Sequence, residues 1–135
     1  MRRCRMEEAR GRFLVLDREP IEALTERLKR QRSPDFVIID SLQYTGMNYK
    51  EYKKLKEQFP NKLFVFVSHA DGEKPKGSTA VSVQYDADMK ILVQGYRAIC
   101  KGLFVPESGK HYSIWAEAEA KYWGLETEQD NEPQY

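Results

Sequence analysis

DFVIIDSLQY, residues 35–44, is the stretch whose reading decides the fold. Phe36, Val37, Ile38 and Ile39 follow one another without polar alternation. A run of β-branched and aromatic residues of that kind predicts a strand buried on both faces, as in a parallel sheet covered by helices. The strand ends on a carboxylate, Asp40. A second such run, Leu63-Phe64-Val65-Phe66-Val67, closes on Ser68-His69. Between the two, Asn48 to Phe59 sets Tyr52, Leu55 and Phe59 at helical spacing, with Asn48 as a candidate N-cap and Pro60-Asn61 as a break. Upstream, the short apolar run Phe13–Leu16 predicts another strand, ending at Asp17. Glu19 to Arg32 then places Ile21, Leu24 and Leu28 on one helical face. Pro20 suits the first turn of that helix, and Ser33-Pro34 stops it. Strand, helix, strand, helix, strand is the order of an α/β fold built on a parallel sheet.

The second half reads differently. Gly72, Pro75 and Gly77 with Lys74 and Lys76 predict a mobile polar loop over Asp71–Thr79. Asp88–Tyr96, Arg97–Val105 and Tyr112–Trp115 read as three strands, with Pro106, Ser108 and Gly109 turning between the last two. The expected fold is therefore a parallel, helix-covered sheet followed by antiparallel C-terminal hairpins. Helical spacing returns over Ala116–Trp123, and disorder is expected from Gly124 onward. This divides the chain into a basic segment (1–12), a folded domain (13–123) and an acidic tail (124–135).

Length and composition set the bounds. A chain of 135 residues that is 41% hydrophobic and 32% charged suits one domain and excludes collagen-like or wholly disordered classes. The longest apolar run, Leu63–Val67, is far short of the roughly 20 residues of a membrane span. The N-terminus is basic without the apolar stretch of a signal peptide, so a soluble, cytoplasmic protein is expected. Cys4 and Cys100 are too few for a disulfide framework. A net charge of +1 favours no particular partner, but the ends differ: five arginines lie within residues 1–12, and Glu126, Glu128, Asp130 and Glu132 lie near the C-terminus. These are either solvated ends or contacts for two different partners.

Ligands of an open parallel sheet sit at the carboxyl ends of its strands. Asp17, Asp40 and Ser68-His69 fall there. A carboxylate such as Asp40 suits magnesium held through water, because magnesium prefers oxygen ligands and keeps several waters. The alternative is that polar residues end strands because the strand has left the core. His69 and His111 have no spacing typical of metal ligands. Tyr44, Tyr49, Tyr85 and Trp115 are either core or stacking surfaces.

DFVIIDSLQY (35–44) resembles the Walker B strand of RecA-like P-loop ATPases, in the replicative-helicase (DnaB-like) branch, where Leu-Gln follows the aspartate closely. LFVFVSHA (63–70) is similar to the next strand of that family, which ends in a residue sensing the terminal phosphate. KGSTAVSVQYDADMKILV (76–93) resembles its glycine-serine loop and Asp-Ala-Asp strand start, and YRAICKGLF (96–104) and HYSIWAE (111–117) its closing hairpin. The likeness covers residues 13–123 and looks strongest to small phage and mobile-element ATPases. It implies ATP and magnesium as cofactors, with Asp40 as the magnesium-side carboxylate and Gln43 beside it. Ser68 and His69 would be the sensor, and Asp86 and Asp88 would open the strand toward a subunit interface. Arg97 and Lys101 would be candidates for a basic finger on a neighbour's nucleotide. Lys74 and Lys76 would lie on a loop that contacts single-stranded DNA.

The departures are as informative. No G-x-x-x-x-G-K-[ST] occurs anywhere in the chain, so no row of backbone N–H groups cradles phosphates. The family's catalytic glutamate would lie upstream of the region present, and Leu103 stands where a basic finger would be expected. The phosphate-loop strand would normally neighbour Leu63–Val67, and its loss leaves a gap. The sheet is expected to close over it, Met89–Val93 pairing with Leu63–Val67, in a homodimer; the alternatives are a second copy across the gap or another chain supplying the missing half. Two functions are therefore expected. One is a truncated RecA-like ATPase domain of a DNA-transaction protein, of helicase or replication type, unable to hydrolyse ATP alone. The other is a non-catalytic nucleic-acid-binding or assembly module on the same scaffold.

Overall fold

A computed structural model describes residues 11–102 and 110–125. The arginine-rich start, the predicted turn at Pro106–Gly109, the end of the strand expected to reach Val105, and the acidic tail beyond Leu125 lie outside the described residues. The chain is mixed α/β and divides into two compact units, with the break after Asp86.

The first unit is built on helix α1 (Ile21–Leu28), strand β1 (Phe36–Asp40), a single helical turn α2 (Leu42–Thr45), helix α3 (Tyr49–Gln58) and strand β2 (Leu63–Val67). A small hairpin, β3 (Ala70–Asp71) and β4 (Lys74–Pro75), and helix α4 (Ser78–Asp86) complete it. β1 and β2 pair in parallel from Phe36↔Leu63 to Asp40↔Val67. α3 begins at a full capping box: Glu51 N donates to Asn48 Oδ1 at 3.0 Å, and Asn48 N donates to Glu51 Oε2 at 2.8 Å. The core is Leu28, Val37, Ile39, Leu42, Met47, Tyr52, Leu55, Ala80 and Val83, with Ile21, Leu24, Phe59, Phe64 and Phe66 packed against it.

Five expectations need correction. Phe13–Leu16 forms no strand; its side chains are exposed and its backbone is irregular. β1 and β2 are covered on one face only: Val37 and Ile39 are buried, whereas Phe36, Ile38, Leu63, Val65 and Val67 face solvent. α1 and α3 both contribute to the single core, so both lie on the same side of the sheet. Residues 71–79 are not wholly loop, since they contain the β3–β4 hairpin and the start of α4. Asp86 ends helix α4 and opens no strand. The proposed closure is also not formed: β2 pairs with β1 alone among the described residues, and Met89–Gln94 pairs elsewhere.

Asp86 ties α4 to α3. Tyr52 Oη donates to Asp86 Oδ2 at 2.8 Å, and Lys56 Nζ and Lys53 Nζ lie 3.0 and 3.4 Å from its carboxylate oxygens. The Tyr52 hydroxyl and the Lys56 ammonium bring the Asp86 carboxyl down from an ordinary value of 3.8 to about 2.

The second unit is a three-stranded antiparallel sheet, β5 (Met89–Gln94), β6 (Arg97–Gly102) and β7 (His111–Ser113), followed by helix α5 (Ala116–Trp123). The predicted strands at 88–96 and 97–105 and the helix at 116–123 thus appear within their expected spans. Pairing sets Arg97, Ile99 and Lys101 on one face with His111 and Ser113. Glu119 of α5 bonds to Arg97 and meets His111, so the helix covers this polar face. The other face carries Ile91, Val93 and Tyr112, all exposed. Among the described residues no helix is long and apolar enough to cross a membrane.

Asp86 binds fewer protons when folded than when unfolded between pH 3.8 and about 2, so its stabilisation is complete above that window and is lost as pH falls through it. A shift of this size corresponds to about 2 kcal/mol, reduced by solvent at a side chain 22% exposed to roughly 1–2 kcal/mol. Asp86→Asn is expected to lower the urea-unfolding free energy by that amount at pH 7, with the difference from wild type vanishing near pH 2. A difference that persists unchanged at pH 2 would refute the ionic origin.

Candidate functional site

Of the polar residues predicted at strand ends, Asp40 and Ser68-His69 are brought together by the parallel register, whereas Asp17 ends no strand and is exposed. Asp40 and Val67 are partners in the last rung of the ladder, so the segments that leave the two strands start side by side. After Asp40 the chain turns at once into α2: Ser41 O accepts from Tyr44 N at 3.0 Å, Leu42 is buried as an anchor, and Gly46 reverses the backbone at φ 64°. The Asp40–Ser41 peptide bond is cis.

This tight turn aims Gln43 across the end of β2. Its Nε2 donates to Ser68 Oγ at 2.8 Å and to the Lys76 carbonyl at 2.7 Å, while its Oε1 accepts from His69 N at 3.2 Å. Ser68 Oγ in turn donates to the His69 carbonyl at 3.0 Å, and the same carbonyl accepts from Lys76 N at 2.7 Å. Gln43 therefore clamps three segments: the end of β1, the end of β2 and the exit of the β3–β4 hairpin. A carboxamide can do this because it carries both donor and acceptor in one planar group. The resemblance placed Gln43 beside Asp40; in the structure its side-chain hydrogen bonds run to Ser68, His69 and Lys76.

Asp40 is exposed and makes no hydrogen bond or ion pair among the described residues. Tyr44 stands edge-on to His69, with ring centroids 5.8 Å apart. Ser41 is fully buried, and its Oγ has no partner among the described residues. Lys74 and Lys76 are exposed and enter no ion pair among the described residues, so both ammonium groups face water.

The fit of magnesium and a nucleotide to these groups is uneven. The free Asp40 carboxylate suits water-mediated magnesium. Among the described residues there is no group of three or more His, Cys, Asp or Glu able to hold a metal directly. Donors for phosphate oxygens are scarce: the Gln43 amide and the Ser68 hydroxyl are engaged with one another and with backbone carbonyls. The Lys76 side chain is exposed and enters no ion pair among the described residues. The groups present would suit a cation held through water better than they would suit a phosphate chain.

Arg97 and Lys101 belong to the second unit. Arg97 is not a free finger: its Nε donates to Glu119 Oε1, and its guanidinium lies 4.7 Å from the centre of the Trp123 ring. Interaction with the Ser113 hydroxyl, then with the Arg97 guanidinium, holds the Glu119 carboxyl below its usual range. To reach a neighbouring nucleotide, Arg97 would first have to leave a half-buried ion pair. Lys101 is exposed and stands directly opposite Lys90 in the ladder. Tyr44 and Tyr85 are exposed, while Tyr49 stacks on Tyr52 with centroids 5.7 Å apart, so none of the three is core. Sequence reasoning missed α4 and the role of Asp86. The available signal was Gly77-Ser78 as a start, with Ala80 and Val83 one turn apart.

Comparison of the chain with protein-family models, with curated proteins and with solved structures gives no match.

Gln43→Ala is expected to release the hairpin exit and the His69 amide together. Hydrogen exchange at His69 N should accelerate, while exchange within β2 at Val65, whose N–H faces β1 in the parallel ladder, stays protected. Equal protection of His69 in both proteins would show that Gln43 holds nothing in place.

Proposed function

We propose that this chain is the carboxyl-terminal part of a RecA-like nucleotide-binding domain from a DNA-transaction ATPase of the replicative-helicase type, and that it does not hydrolyse ATP by itself. The observation that carries the reading is the convergence of Asp40, Gln43, Ser68 and His69 at the carboxyl ends of two adjacent parallel strands. Asp40 would hold magnesium through water, and Ser68-His69 would face the terminal phosphate. Gln43 would set the distance between them. The phosphate cradle must then come from outside residues 1–135, either from preceding sequence or from a partner subunit. The half-bare sheet fits this reading, since Phe36, Ile38, Leu63, Val65 and Val67 need a covering layer that the described residues do not provide.

A second reading keeps the scaffold without the nucleotide. Lys74 and Lys76, on β4 and at the exit of its hairpin, are exposed and without an ion pair among the described residues, and suit the backbone of single-stranded DNA, whose counterions they would displace. The two readings part on ions. Strand binding weakens steeply with added salt, whereas nucleotide binding depends on magnesium and on Asp40.

Calorimetry with magnesium-ATP should show weak binding, on the order of millimolar, since the cradle is absent. Asp40→Ala should weaken it by about tenfold or more, and no phosphate should be released. Binding that is indifferent to both magnesium and Asp40 would overturn the nucleotide reading. Salt-sensitive binding of oligothymidylate, abolished by Lys74→Ala with Lys76→Ala, would then favour the second.

A further inference from the structure

The open face of the β1–β2 sheet has an internal order that the nucleotide reading does not use. Side chains alternate along a strand, so Phe36, Ile38 and Asp40 of β1 share this face with Leu63, Val65 and Val67 of β2. The register arranges them in three rungs: Phe36 beside Leu63, Ile38 beside Val65, and Asp40 beside Val67. The face is therefore tapered. Its bulkiest rung, Phe36 and Leu63, stands at the amino end, and its slightest, Asp40 and Val67, at the carboxyl end. Asp40 is the one charge on it, and it occupies the last rung.

The five apolar side chains are between 38% and 73% exposed. Together they offer water roughly 500 Å² of apolar surface, a patch of the size that marks a contact site on a soluble chain. Two such faces brought together remove about 1,000 Å² from water, which is where specific interfaces begin. A twofold axis lying across the strands at the middle rung fits the taper to itself. It sets the Phe36–Leu63 rung of one copy over the Asp40–Val67 rung of the other, large on small, and the Ile38–Val65 rung over its own equivalent. It also sends the two Asp40 carboxylates to opposite margins, where each keeps its water. A parallel order would set large on large at one end and leave a void at the other.

Pairing along an edge does less. The outer edges of β1 and β2 are open among the described residues. Antiparallel joining there would keep both cores on one side of the sheet and double the wet apolar face.

We propose that a second copy of this chain covers the face: two β1–β2 sheets pack face to face with their strands antiparallel, and α1 and α3 of each copy lie outside the pair. The middle of the face carries no charge, so no like charges meet at the axis. The pairing consumes both faces, so assembly closes at two. It requires no nucleotide and stands apart from the nucleotide reading.

Sedimentation equilibrium of the full chain, without nucleotide, should show reversible monomer–dimer exchange with a Kd on the order of micromolar, as a small apolar interface gives. The mass should level off at twice that of the chain, and high salt should not weaken the association. Ile38→Glu and Val65→Glu each place a charge at the axis against its own copy, and each should raise the Kd by about a hundredfold or more. Both positions are exposed in the single copy, so the melting temperature of either variant should match that of wild type at concentrations where wild type is monomeric. Val65→Thr keeps the shape and buries a hydroxyl, and should weaken pairing by about tenfold without threatening the fold. A chain that remains single at about 1 mM, a thousandfold above the expected Kd, would overturn the proposal. So would a mass that climbs past two copies, or a dimer that survives either glutamate. Pairing along the β2 edge would tolerate Ile38→Glu, and pairing along the β1 edge would tolerate Val65→Glu.

Discussion

Two parallel strands cannot be joined by a tight turn; the chain must cross over, and the crossover has to pack on the sheet it leaves. Much of the first unit follows from that constraint. The link from β1 to β2 is long enough for α2 and α3, and α3 returns Tyr52 and Leu55, each 2% exposed, onto Val37, Ile39, Phe64 and Phe66. The same register that lets these residues share a core also sets Asp40 opposite Val67. The polar groups that leave the two strands are thus adjacent because the apolar groups before them are paired. Gln43 then converts proximity into fixed geometry through its three hydrogen bonds.

The polar lock between α3 and α4 works on a different principle. Tyr52 is buried, but its hydroxyl reaches Asp86 at the boundary of the core, and two lysines of α3 complete the carboxylate's surroundings. One side chain thereby serves the apolar core with its ring and the helix pair with its oxygen. In the second unit the arrangement is inverted. The charged group Arg97–Glu119–His111 lies under α5, and the apolar residues Ile91, Val93 and Tyr112 lie open. Each unit, taken by itself, presents an apolar sheet face to solvent.

The sequence was most legible where pattern and packing agree. α3 showed helical spacing and a capping residue, and Leu63–Val67 is a strand over the span its composition marked out. Asp40 and Ser68-His69 stood at strand ends because apolar runs stop there. α4 was illegible for a physical reason: Ser78–Asp86 mixes serine, threonine and valine, whose intrinsic preference for helix is low, and it is held by burial of Ala80 and Val83 and by the anchor at Asp86. Phe13–Leu16 fails in the opposite direction, having strand composition without a neighbour to pair with. Apolar runs in β1 and β2 likewise could not reveal that one face lacks a cover, because composition reports what a strand tolerates and not what lies against it.

The open face of the β1–β2 sheet has a thermodynamic consequence. Heat capacity of unfolding and sensitivity to denaturant both scale with the surface newly exposed when the chain unfolds. Phe36, Ile38, Leu63, Val65 and Val67 are already hydrated in the folded state, so they contribute little to either. The stability curve of this chain is accordingly flatter in temperature, and its transition broader in urea, than its length would give. Any partner that covers this face would sharpen both, changing the shape of the curve as well as its height.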